Sequence, residues 1–429
     1  MPVIANEYLG RKPDEYRILL ALENVPNSRA LKIYQEHGGY KALEKVLKGG
    51  MSPDDVINAV KASGLRGRGG AGFPTGLKWS FVPKGPGEKY LITNFDEGEP
   101  GTYKDCYISE VSPHSLVEGK IIASYAIGAQ KSYIYLRGEF YNEIKWCEDA
   151  IREAYDAGLL GKNILGSGFS HDMDIYCGAG AYICGEETGL ISSLEGKKGQ
   201  PKLKPPFPAV KGYLGKPTVV NNVESLAVVP WIINHGPEAY KKFGTEKAAG
   251  TKLFNVSGPI QKPGCYEVPL GYPLMRFINE DCGGLIGGKK LKAIIPGGSS
   301  APVLTAKECE NVTLDYESIA AAGSMLGSGA IIVMPEDVSM VEVLENLMDF
   351  YSHESCGQCT PCREGTGWLY KMSKRILTGA ANKAEVEKMY QVAEHMRGRT
   401  ICVLSDAAAD PAKAIINKFA HEFEPYLKG

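Results

Sequence analysis

The chain has 429 residues, of which 44% are hydrophobic and 23% are charged. This length and composition are typical of roughly two to four folded domains, and they argue against a disordered chain. The 48 basic and 50 acidic residues nearly balance, which argues against general nucleic-acid binding and against a polybasic membrane anchor. Apolar runs are shorter than a membrane span, and the first residues lack the apolar core of a signal peptide. We therefore expect a soluble, unexported protein that binds its ligands at local sites.

Residues 1–72 are predicted to form helices that lead into a glycine-rich loop. In the run SPDDVINAVKASGL, Ser52 caps a helix that begins at Pro53 and continues up to Gly64. The run GRGGAG at 67–72 has the G-x-G-x-x-G spacing of a dinucleotide-binding turn, but that turn requires a strand before its glycines. Because a helix is predicted there instead, we do not interpret this run as a Rossmann NAD turn.

In residues 73–245, predicted strands alternate with predicted helices. Strands are predicted at Tyr90–Asn94, 131–137 and 172–178, and helices at Ser115–Ala129, at Glu143–Asp156 and on the run CGEETGLISSLEG. This alternation is typical of a wound α/β sheet with parallel strands. Residues 200–217, which we call the proline-rich loop, cannot continue a helix or an inner strand. They are predicted to form an ordered loop laid over a surface.

The last two segments differ from each other in pattern. In residues 246–335, short β-branched runs surround one helical piece near Leu274–Cys282, which predicts a small α+β domain. From 336 to 429 the pattern is helical, and further helices are expected at about 363–377, 383–397 and 411–425 after a first one. The apolar face of the first helix comprises Val338, Val341, Leu344, Leu347, Met348 and Tyr351. The count of helices predicts a four-helix bundle.

Cysteines indicate a metal site in this bundle. The spacing Cys356-x2-Cys359-x2-Cys362 is the first part of a bacterial 4Fe-4S motif, whereas zinc sites usually use two separated cysteine pairs. Thr366 stands where that motif has its fourth cysteine, and Cys402 is the remaining cysteine of the predicted bundle. The ligand type favours an iron–sulfur cluster over zinc. Two nearby histidines, His353 and His395, are interpreted as surface or outer residues. The other cysteines are interpreted as small core residues: Cys106, Cys147, Cys177, Cys184, Cys265, Cys282 and Cys309.

Three polar loops fall where a wound sheet places its ligand crevice. They contribute Asn94, Asp96, Glu97 and Glu99; Tyr182, Gly185, Glu186 and Glu187; and Asn221, Asn222 and Glu224. Carboxylates pair well with ribose hydroxyls, while lysine, arginine and glycine amides suit phosphate. Each acidic loop taken alone could instead cap a helix. Their joint occurrence with the glycine loop favours a nucleotide site, and a flavin is the cofactor that converts a hydride into the single electrons of a cluster.

Five runs occur together in this order: GLRGRGGAGFPTGLKW, NFDEGEPGTYKD, GAGAYICGEETGLISSLEG, TVVNNVE and SCGQCTPCREG. In combination they resemble the flavoprotein F subunit (51-kDa type) of respiratory complex I, the NADH–quinone oxidoreductase, over nearly the whole chain. The resemblance implies an α/β fold with a Rossmann-like wound sheet that binds FMN and NADH in residues 73–245. It further implies a ubiquitin-like β-grasp domain in 246–335 and a C-terminal four-helix bundle with a 4Fe-4S cluster in 336–429.

The resemblance also implies which residues bind the cofactors. FMN would contact Arg66, Gly67, Gly69, Lys78, Asn94, Asp96, Glu97, Tyr182, Gly185, Glu186, Glu187, Val220, Asn221 and Asn222. NADH would contact Phe73, Lys78, Phe81, Glu99, Glu187 and Phe207, with the aromatic rings against adenine unless, as Phe81 could, they belong to the core. The cluster ligands would be Cys356, Cys359, Cys362 and Cys402. The glycine loop would then be a wall with FMN on one side and NADH on the other.

By this resemblance, a hydride passes from the nicotinamide to a non-covalent FMN, and single electrons then pass to the 4Fe-4S cluster. No side chain need act as a catalytic acid, so Glu99 and Glu187 would position or tune the cofactors. The acidic ribose contacts favour NADH over NADPH. The implied partners are a thioredoxin-like 2Fe-2S subunit of the E type and the rest of the peripheral arm. The implied location is cytoplasmic, peripheral on the inner face of the cell membrane through the complex.

Two alternatives remain open at this point. The first is the diaphorase subunit of an NAD-dependent hydrogenase or formate dehydrogenase, which has the same core and often carries additional iron–sulfur modules. The second is a zinc-stabilised scaffold that binds a nucleotide without catalysis. One departure from the family pattern is that Val-Leu-Ser follows Cys402, where a small residue or proline and a glycine are more common.

Overall fold

The N-terminal part of the chain consists of short helices around the glycine loop. The computed structural model describes residues 16–428, so the helical pattern predicted for residues 1–15 lies outside the described residues. The first helices are α1 (Leu31–Glu36), α2 (Lys41–Leu47), α3 (Pro53–Ala62) and α4 (Thr75–Ser80). The start of α3 is confirmed, because Ser52 and Asp55 each accept a hydrogen bond from the other's amide in a capping box. The glycines therefore follow a helix, as predicted.

A parallel sheet with helices on its faces follows. Its elements are β1 (Tyr90–Phe95), α5 (Lys104–Val111), α6 (Pro113–Ile127), β2 (Lys131–Arg137), α7 (Tyr141–Asp156), β3 (Asp172–Gly178), α8 (Glu187–Leu194), β4 (Thr218–Asn222), α9 (Val223–Ala227), α10 (Val229–His235) and α11 (Pro237–Lys241). Within the described residues the strand order is β3-β2-β1-β4, and all the pairs are parallel. The predicted wound sheet is confirmed.

The central helix α6 fixes the position of β4. It is buried on nearly all sides because it lies between the sheet and the surrounding helices. Gly119 allows α6 to touch α9, since a Cβ at this position would lie 2.0 Å from the backbone oxygen of Leu226. This close contact holds α9, and with it the carboxyl end of β4, against the core.

A second, mixed sheet forms the next part of the chain. Its elements are β5 (Thr251–Ser257), β6 (Gly264–Pro269), α12 (Leu274–Arg276), β7 (Leu291–Ile295), β8 (Leu304–Thr305), α13 (Ala306–Cys309), α14 (Tyr316–Ala321) and β9 (Ala330–Pro335). The strand order is β6-β5-β9-β7-β8, with β5 and β9 parallel and the other pairs antiparallel. The predicted helical piece is present, as α12 and a π-helical turn at Phe277–Asp281. The predicted small α+β domain is thus confirmed.

The C-terminal helices pack as the predicted bundle. They are α15 (Met340–Glu354), α16 (Thr360–Leu377), α17 (Lys383–Met396), α18 (Leu404–Lys418) and α19 (Ala420–Phe423). The predicted face of α15 is buried, except that Val338 precedes the helix and is half-buried. The predicted bounds of the last helix, 411–425, are wrong at both ends. The alanines before Pro411 are strong helix formers and outweigh the proline, so that α18 begins at Leu404. No helix of the described residues is long and apolar enough to cross a membrane.

The prediction of seven core cysteines was only partly right. Cys147, Cys184, Cys282 and Cys309 are buried, whereas Cys106 and Cys265 are half-buried. Cys177 is exposed, because β3 is the edge strand of the parallel sheet and Cys177 lies near the end of this strand. Spacing alone could not distinguish an edge strand from an inner one.

A group of buried charges joins the two sheets. We call it the buried charge cluster and define it as Arg68, Lys104, Asp105, Glu224 and Lys252. The Lys104 Nζ lies 2.7 Å from Asp105 Oδ1 and 3.2 Å from Glu224 Oε2. The Lys252 Nζ lies 3.3 Å from the same Glu224 oxygen, and every side chain of these ion pairs is at most 4% exposed. The cluster therefore ties α5 and α9 of the parallel sheet to β5 of the mixed sheet.

Arg68 extends this cluster into the glycine loop. Its guanidinium donates to the backbone oxygens of Ala249 at 2.9 Å and of Thr251 at 3.0 Å, and to the Tyr240 hydroxyl at 3.0 Å. Burial would raise the pKa of Glu224, but the nearby cations, Lys252 first, hold it below its ordinary value. Burial lowers the pKa of Lys252 to about 8 despite Glu224. The loop, the sheets and the charges thus form one connected unit.

We expect Glu224→Gln to destabilise the protein strongly. The substitution keeps the shape of the side chain but leaves two buried lysines without their shared carboxylate, and breaking a buried ion pair in this way costs about 3–5 kcal/mol. Urea unfolding measures the change in the free energy of unfolding. The control is Glu238→Gln, which removes an exposed pair with Lys241 and leaves stability nearly unchanged. Equal stability of the two variants would contradict this account.

Candidate functional site

The carboxyl ends of β1 and β4 form the centre of the candidate site. From β1 the chain continues to β2 and β3 on one side, whereas β4 lies on the opposite side of β1. In an open α/β sheet, such a change of direction leaves a crevice at the carboxyl ends of the strands, where ligands bind. The register places Thr93 beside Asn221 and Asn94 beside Asn222. Polar residues from two of the predicted loops are therefore brought together.

The glycine loop forms one wall of this crevice. Its two limbs pair through hydrogen bonds from the Gly67 amide to the Phe73 oxygen at 2.8 Å and from the Thr75 amide to the Leu65 oxygen at 2.9 Å. A Cβ on Gly69 would lie 3.0 Å from the Cβ of Asn222. The absence of a side chain at Gly69 thus lets the loop backbone approach the end of β4.

Lys78 and Glu187 form a polar centre beside this wall. Lys78 lies on α4, and its Nζ donates to Glu187 Oε2 at 2.9 Å and to the backbone oxygen of Val220 at 2.8 Å. Lys204, from the proline-rich loop, reaches the other Glu187 oxygen at 2.6 Å. Burial acts to raise the pKa of Glu187, but the two lysines outweigh it and the pKa lies below its ordinary value. The next residue of α4 is Trp79, whose Nε1 donates to Asn221 Oδ1 at 2.8 Å.

Asp96 directly follows β1 and carries a buried carboxylate. The neighbouring Asn94 donates to the Gly185 oxygen at 2.8 Å and accepts from the Asp96 amide at 3.1 Å. Both side-chain oxygens of Asp96 are buried and accept no hydrogen bond within the described residues. Burial raises the pKa of Asp96 to about 7, although Arg137 acts in the opposite direction. An unpaired group of this kind fits a site whose ligand supplies the donors.

Two predicted contact residues use their carboxylates to cap helices. Glu97 accepts from the amide of Asp105 at 2.9 Å and from that of Cys106 at 3.1 Å, at the start of α5. Glu186 accepts from the amides of Thr188 and Gly189 at the start of α8. Burial and the adjacent Asp105 raise the pKa of Glu97 to about 7. The helix-capping interpretation is therefore right for these two side chains, and each holds a loop of the crevice in place.

Tyr182 and Glu99 meet at the border with the second sheet. The Tyr182 hydroxyl donates to Glu99 Oε2 at 2.5 Å. The other Glu99 oxygen accepts from the amide and the hydroxyl of Ser300, at 2.8 and 2.7 Å. Burial and Glu99 raise the pKa of Tyr182 well above its ordinary value, so that the hydroxyl stays protonated as a donor.

The three predicted aromatic contacts lie on the surface. Phe73 is 46% exposed, Phe81 is 52% exposed and Phe207 is 58% exposed. The rings of Phe73 and Phe81 are neighbours, with centroids 6.2 Å apart. Interpreting Phe81 as a core residue is therefore wrong. Exposed rings beside a polar crevice suit a flat base such as a purine.

The predicted contact Arg66 has its side chain paired with the second sheet's helix α14. Its Nη1 lies 2.6 Å from Glu317, and its guanidinium stacks 3.8 Å from the ring centroid of Tyr316. Both partners belong to α14 of the second sheet. The side chain of Arg66 thus fixes the outer face of the glycine loop.

The four predicted cluster ligands come from two adjoining turns of the bundle. Cys359 lies directly before α16, and Cys402 lies two residues before α18. The turns touch, because the Ile401 amide donates to Cys359 Sγ at 3.5 Å. The Ser355 hydroxyl lies 3.3 Å from Cys362 Sγ. Among residues 16–428, no group of three His, Cys, Asp or Glu residues has the arrangement that holds a single metal ion.

The donor set fits an iron–sulfur cluster. All four donors are thiols, and the predicted exclusion of His353 and His395 is supported by their exposed side chains. Burial raises the pKa of Cys402 to about 11 and also raises that of Cys362. Cations bound to these sulfurs would displace the protons and stabilise the thiolates. The N-terminus of α16 favours the resulting negative charge.

Two hydrogen bonds connect the crevice to the cysteine turns. The Tyr182 amide donates to Glu354 Oε2 at 3.0 Å, at the end of α15. The Gln200 side chain donates to the Cys356 oxygen at 3.4 Å. The arrangement therefore places a nucleotide crevice and a four-thiol site next to each other.

Sequence reasoning missed several residues that build this site. They are Lys104, Asp105, Glu354, Lys204, Ser300 and Arg137. Lys104 and Asp105 stand in the run NFDEGEPGTYKD, where adjacent opposite charges at the start of a mostly buried helix were a usable signal. The others act across long sequence distances, and only the fold reveals them.

Comparisons with known protein families match three segments of the chain. Residues 60–231 match the Nuo51 FMN-binding domain, and residues 252–333 match the SLBB domain. Residues 342–426 match the NADH-ubiquinone oxidoreductase-F iron-sulfur binding region. The first match spans the crevice, and the third contains all four cysteines.

Individual relatives resemble the chain over most of its length. The F 2 subunit of the NADH-quinone oxidoreductase of Rhizobium meliloti is 48% identical over 96% of this chain and 97% of its own length. NADH dehydrogenase [ubiquinone] flavoprotein 1, mitochondrial, of Dictyostelium discoideum is 49% identical over 91% of this chain and 81% of its own. Among solved structures, an NAD+-reducing [NiFe]-hydrogenase in the H2-reduced state superposes with a TM-score of 0.85 at 36% identity. That match covers 96% of this chain and 67% of the hydrogenase chain. The chain therefore belongs to the F-subunit family of the NADH-quinone oxidoreductases.

Proposed function

We propose that this chain is the electron-input subunit of a complex I, where it oxidises NADH with FMN and a 4Fe-4S cluster. The observation that carries the proposal is the crevice between β1 and β4, with its unpaired Asp96 carboxylate, directly beside the four-thiol site. When bound, FMN supplies the conversion of a hydride into single electrons, and the cluster accepts electrons singly. The protein orients the cofactors and tunes their environment.

The residues present fit FMN. Lys78 and the backbone of the glycine loop suit its phosphate, and Asn94, Asn221 and Asn222 line the adjacent strand ends. Asp96 would accept hydrogen bonds from the flavin's hydroxyl or ring N–H groups, which would satisfy its buried oxygens. Gly69 lets the loop backbone pack closely on Asn222, and this contact sets the wall against which the flat ring would lie.

The residues around Glu187 fit NADH. The exposed rings of Phe73, Phe81 and Phe207 would pack against adenine. Glu187 and Glu99 would accept from ribose hydroxyls or from the carboxamide of the nicotinamide end. These carboxylates would repel a 2′-phosphate, so we propose that the enzyme uses NADH rather than NADPH.

The cluster would be held by Cys356, Cys359, Cys362 and Cys402. An immediate partner would be a thioredoxin-like 2Fe-2S subunit of the E type, which together with the remaining peripheral arm would take part in electron transfer to quinone. The assembly would place this chain on the inner face of the cell membrane. The second candidate is the diaphorase subunit of an NAD-dependent hydrogenase, favoured by the structural likeness at 36% identity. The higher identity of 48% to an F-type relative over nearly both chains supports the complex I assignment.

We expect Gly69→Val to lose FMN before it loses the fold. The new side chain would meet Asn222 at 3.0 Å, and overpacking of this kind costs about 1–3 kcal/mol. FMN affinity should fall roughly tenfold to a hundredfold, as measured by fluorescence titration of flavin-depleted protein. The control is Gly264→Val, whose Cβ meets Tyr266 at an ordinary 3.5 Å. Unchanged FMN affinity in Gly69→Val would contradict the position of the flavin.

We expect Cys359→Ala to lose iron and sulfide while it keeps FMN. The substitution removes one of four thiolate donors but leaves the crevice untouched. Iron, sulfide, zinc and flavin contents of the purified protein give the measurement. The matched control is Cys177→Ala, since Cys177 is an exposed cysteine on the edge strand. Wild-type protein that carries zinc and no flavin would support the scaffold alternative and reject the enzyme.

A further inference from the structure

The proline-rich loop lies against α8 and is held there by polar contacts. The Ser192 hydroxyl donates to the Gln200 oxygen at 2.9 Å. The Lys202 amide donates to the Thr188 hydroxyl at 2.8 Å. Further along the loop, Lys204 pairs with Glu187. One face of α8 thus carries the polar groups that receive the loop.

Glu195, the residue that follows α8, contacts both limbs of this loop. We call residues 200–207 the first limb of the proline-rich loop and residues 208–217 its second limb. The Glu195 Oε1 accepts from the Leu214 amide, in the second limb, at 3.0 Å. Its Oε2 accepts from the Lys202 ammonium at 3.1 Å, in the first limb, and from Lys197 at 2.8 Å. The carboxylate is only 6% exposed, whereas the two lysines are 45% and 67% exposed. The lysines and the Leu214 amide together hold the pKa of Glu195 below its ordinary value despite burial.

The part of the loop that carries Phe207 is exposed and is held from both of its ends. Residues 202–207 are all exposed, between the buried Pro201 and the buried Pro208. The second part of the loop is anchored by Tyr213, which packs on Tyr90 with ring centroids 5.0 Å apart, and by the Pro208 oxygen, which accepts from the Thr218 amide of β4 at 2.8 Å. The Phe207 oxygen accepts from the amides of Val210 and Lys211 at 2.9 and 3.0 Å. The exposed residues that lead into Phe207 are held by the contacts of Lys202 and Lys204.

We propose that Glu195 is a positioning residue for NADH: it fixes both limbs of the proline-rich loop and so places Phe207 for the adenine end of the dinucleotide. The inference rests on the proposed function. Lys204 pairs with Glu187, a carboxylate that suits ribose, and Phe207 follows Lys204 by three residues in the same loop. Glu195 contacts neither Lys78 nor the strand ends of β1 and β4. Its loss therefore weakens recognition of adenine and leaves the flavin in place.

Glu195→Ala in the full chain with its cofactors tests this. We expect KM for NADH to rise about tenfold, the change that follows the loss of one hydrogen bond to a charged group. The turnover number with an artificial electron acceptor and the flavin content should stay unchanged. Inhibition by ADP-ribose, which carries the adenine half, should weaken to a similar extent, whereas inhibition by nicotinamide mononucleotide should not change.

Two further variants complete the experiment. Glu195→Gln keeps an acceptor for the Leu214 amide but loses the charge that attracts Lys202, so a smaller rise in KM is expected. This variant also provides the result if Glu195→Ala does not fold. Glu238→Ala, which removes an 80% exposed carboxylate far along the chain, should match wild type. Unchanged KM in both Glu195 variants, or equal weakening of the two half-molecule inhibitors, would overturn the positioning role. Wild-type protein that holds FMN but does not oxidise NADH would overturn the proposed function itself.

Discussion

The shared carboxylate of Glu224 is the interaction on which the rest of the structure depends. It receives Lys104 from α5 and Lys252 from β5, and Arg68 continues the same network into the glycine loop. Charges this deeply buried are stable only when they are paired, so the parallel sheet, the mixed sheet and the loop must adopt one relative position. That position sets Gly69 beside Asn222 and thereby defines the wall of the crevice.

The proposed function depends on the groups in this frame that are suited to bind a cofactor. Most polar groups around the crevice bond to each other, but the Asp96 oxygens accept no hydrogen bond within the described residues. The neighbouring thiols of the bundle come from two turns that touch at Ile401 and Cys359, and four sulfur donors suit a partner that supplies positive charge. The Tyr182–Glu354 contact joins the two places. A two-electron cofactor next to a one-electron centre is the arrangement that the transfer of electrons from NADH to one-electron carriers requires.

Much of the fold and part of the candidate site could be predicted from local sequence patterns. The capping residues of α3, the strands around Tyr90–Phe95 and 131–137, and the spacing of Cys356, Cys359 and Cys362 could all be predicted, because each depends on neighbours in the chain. Long-range features could not. The exposure of Cys177 depends on strand order, the early start of α18 on helix propensity outweighing Pro411, and the role of Glu195 on a loop that folds back across α8. The roles of the site residues toward FMN and NADH remain predictions.

Anaerobic titration of the purified chain with NADH is the most direct test of the central claim. Flavin absorbance and the electron paramagnetic resonance of the cluster are read on the same sample. The account predicts that NADH bleaches the flavin and that the reduced-cluster signal appears in wild type, whereas in Cys359→Ala the flavin still bleaches and no cluster signal appears. A flavin that NADH does not bleach in either protein would contradict the account.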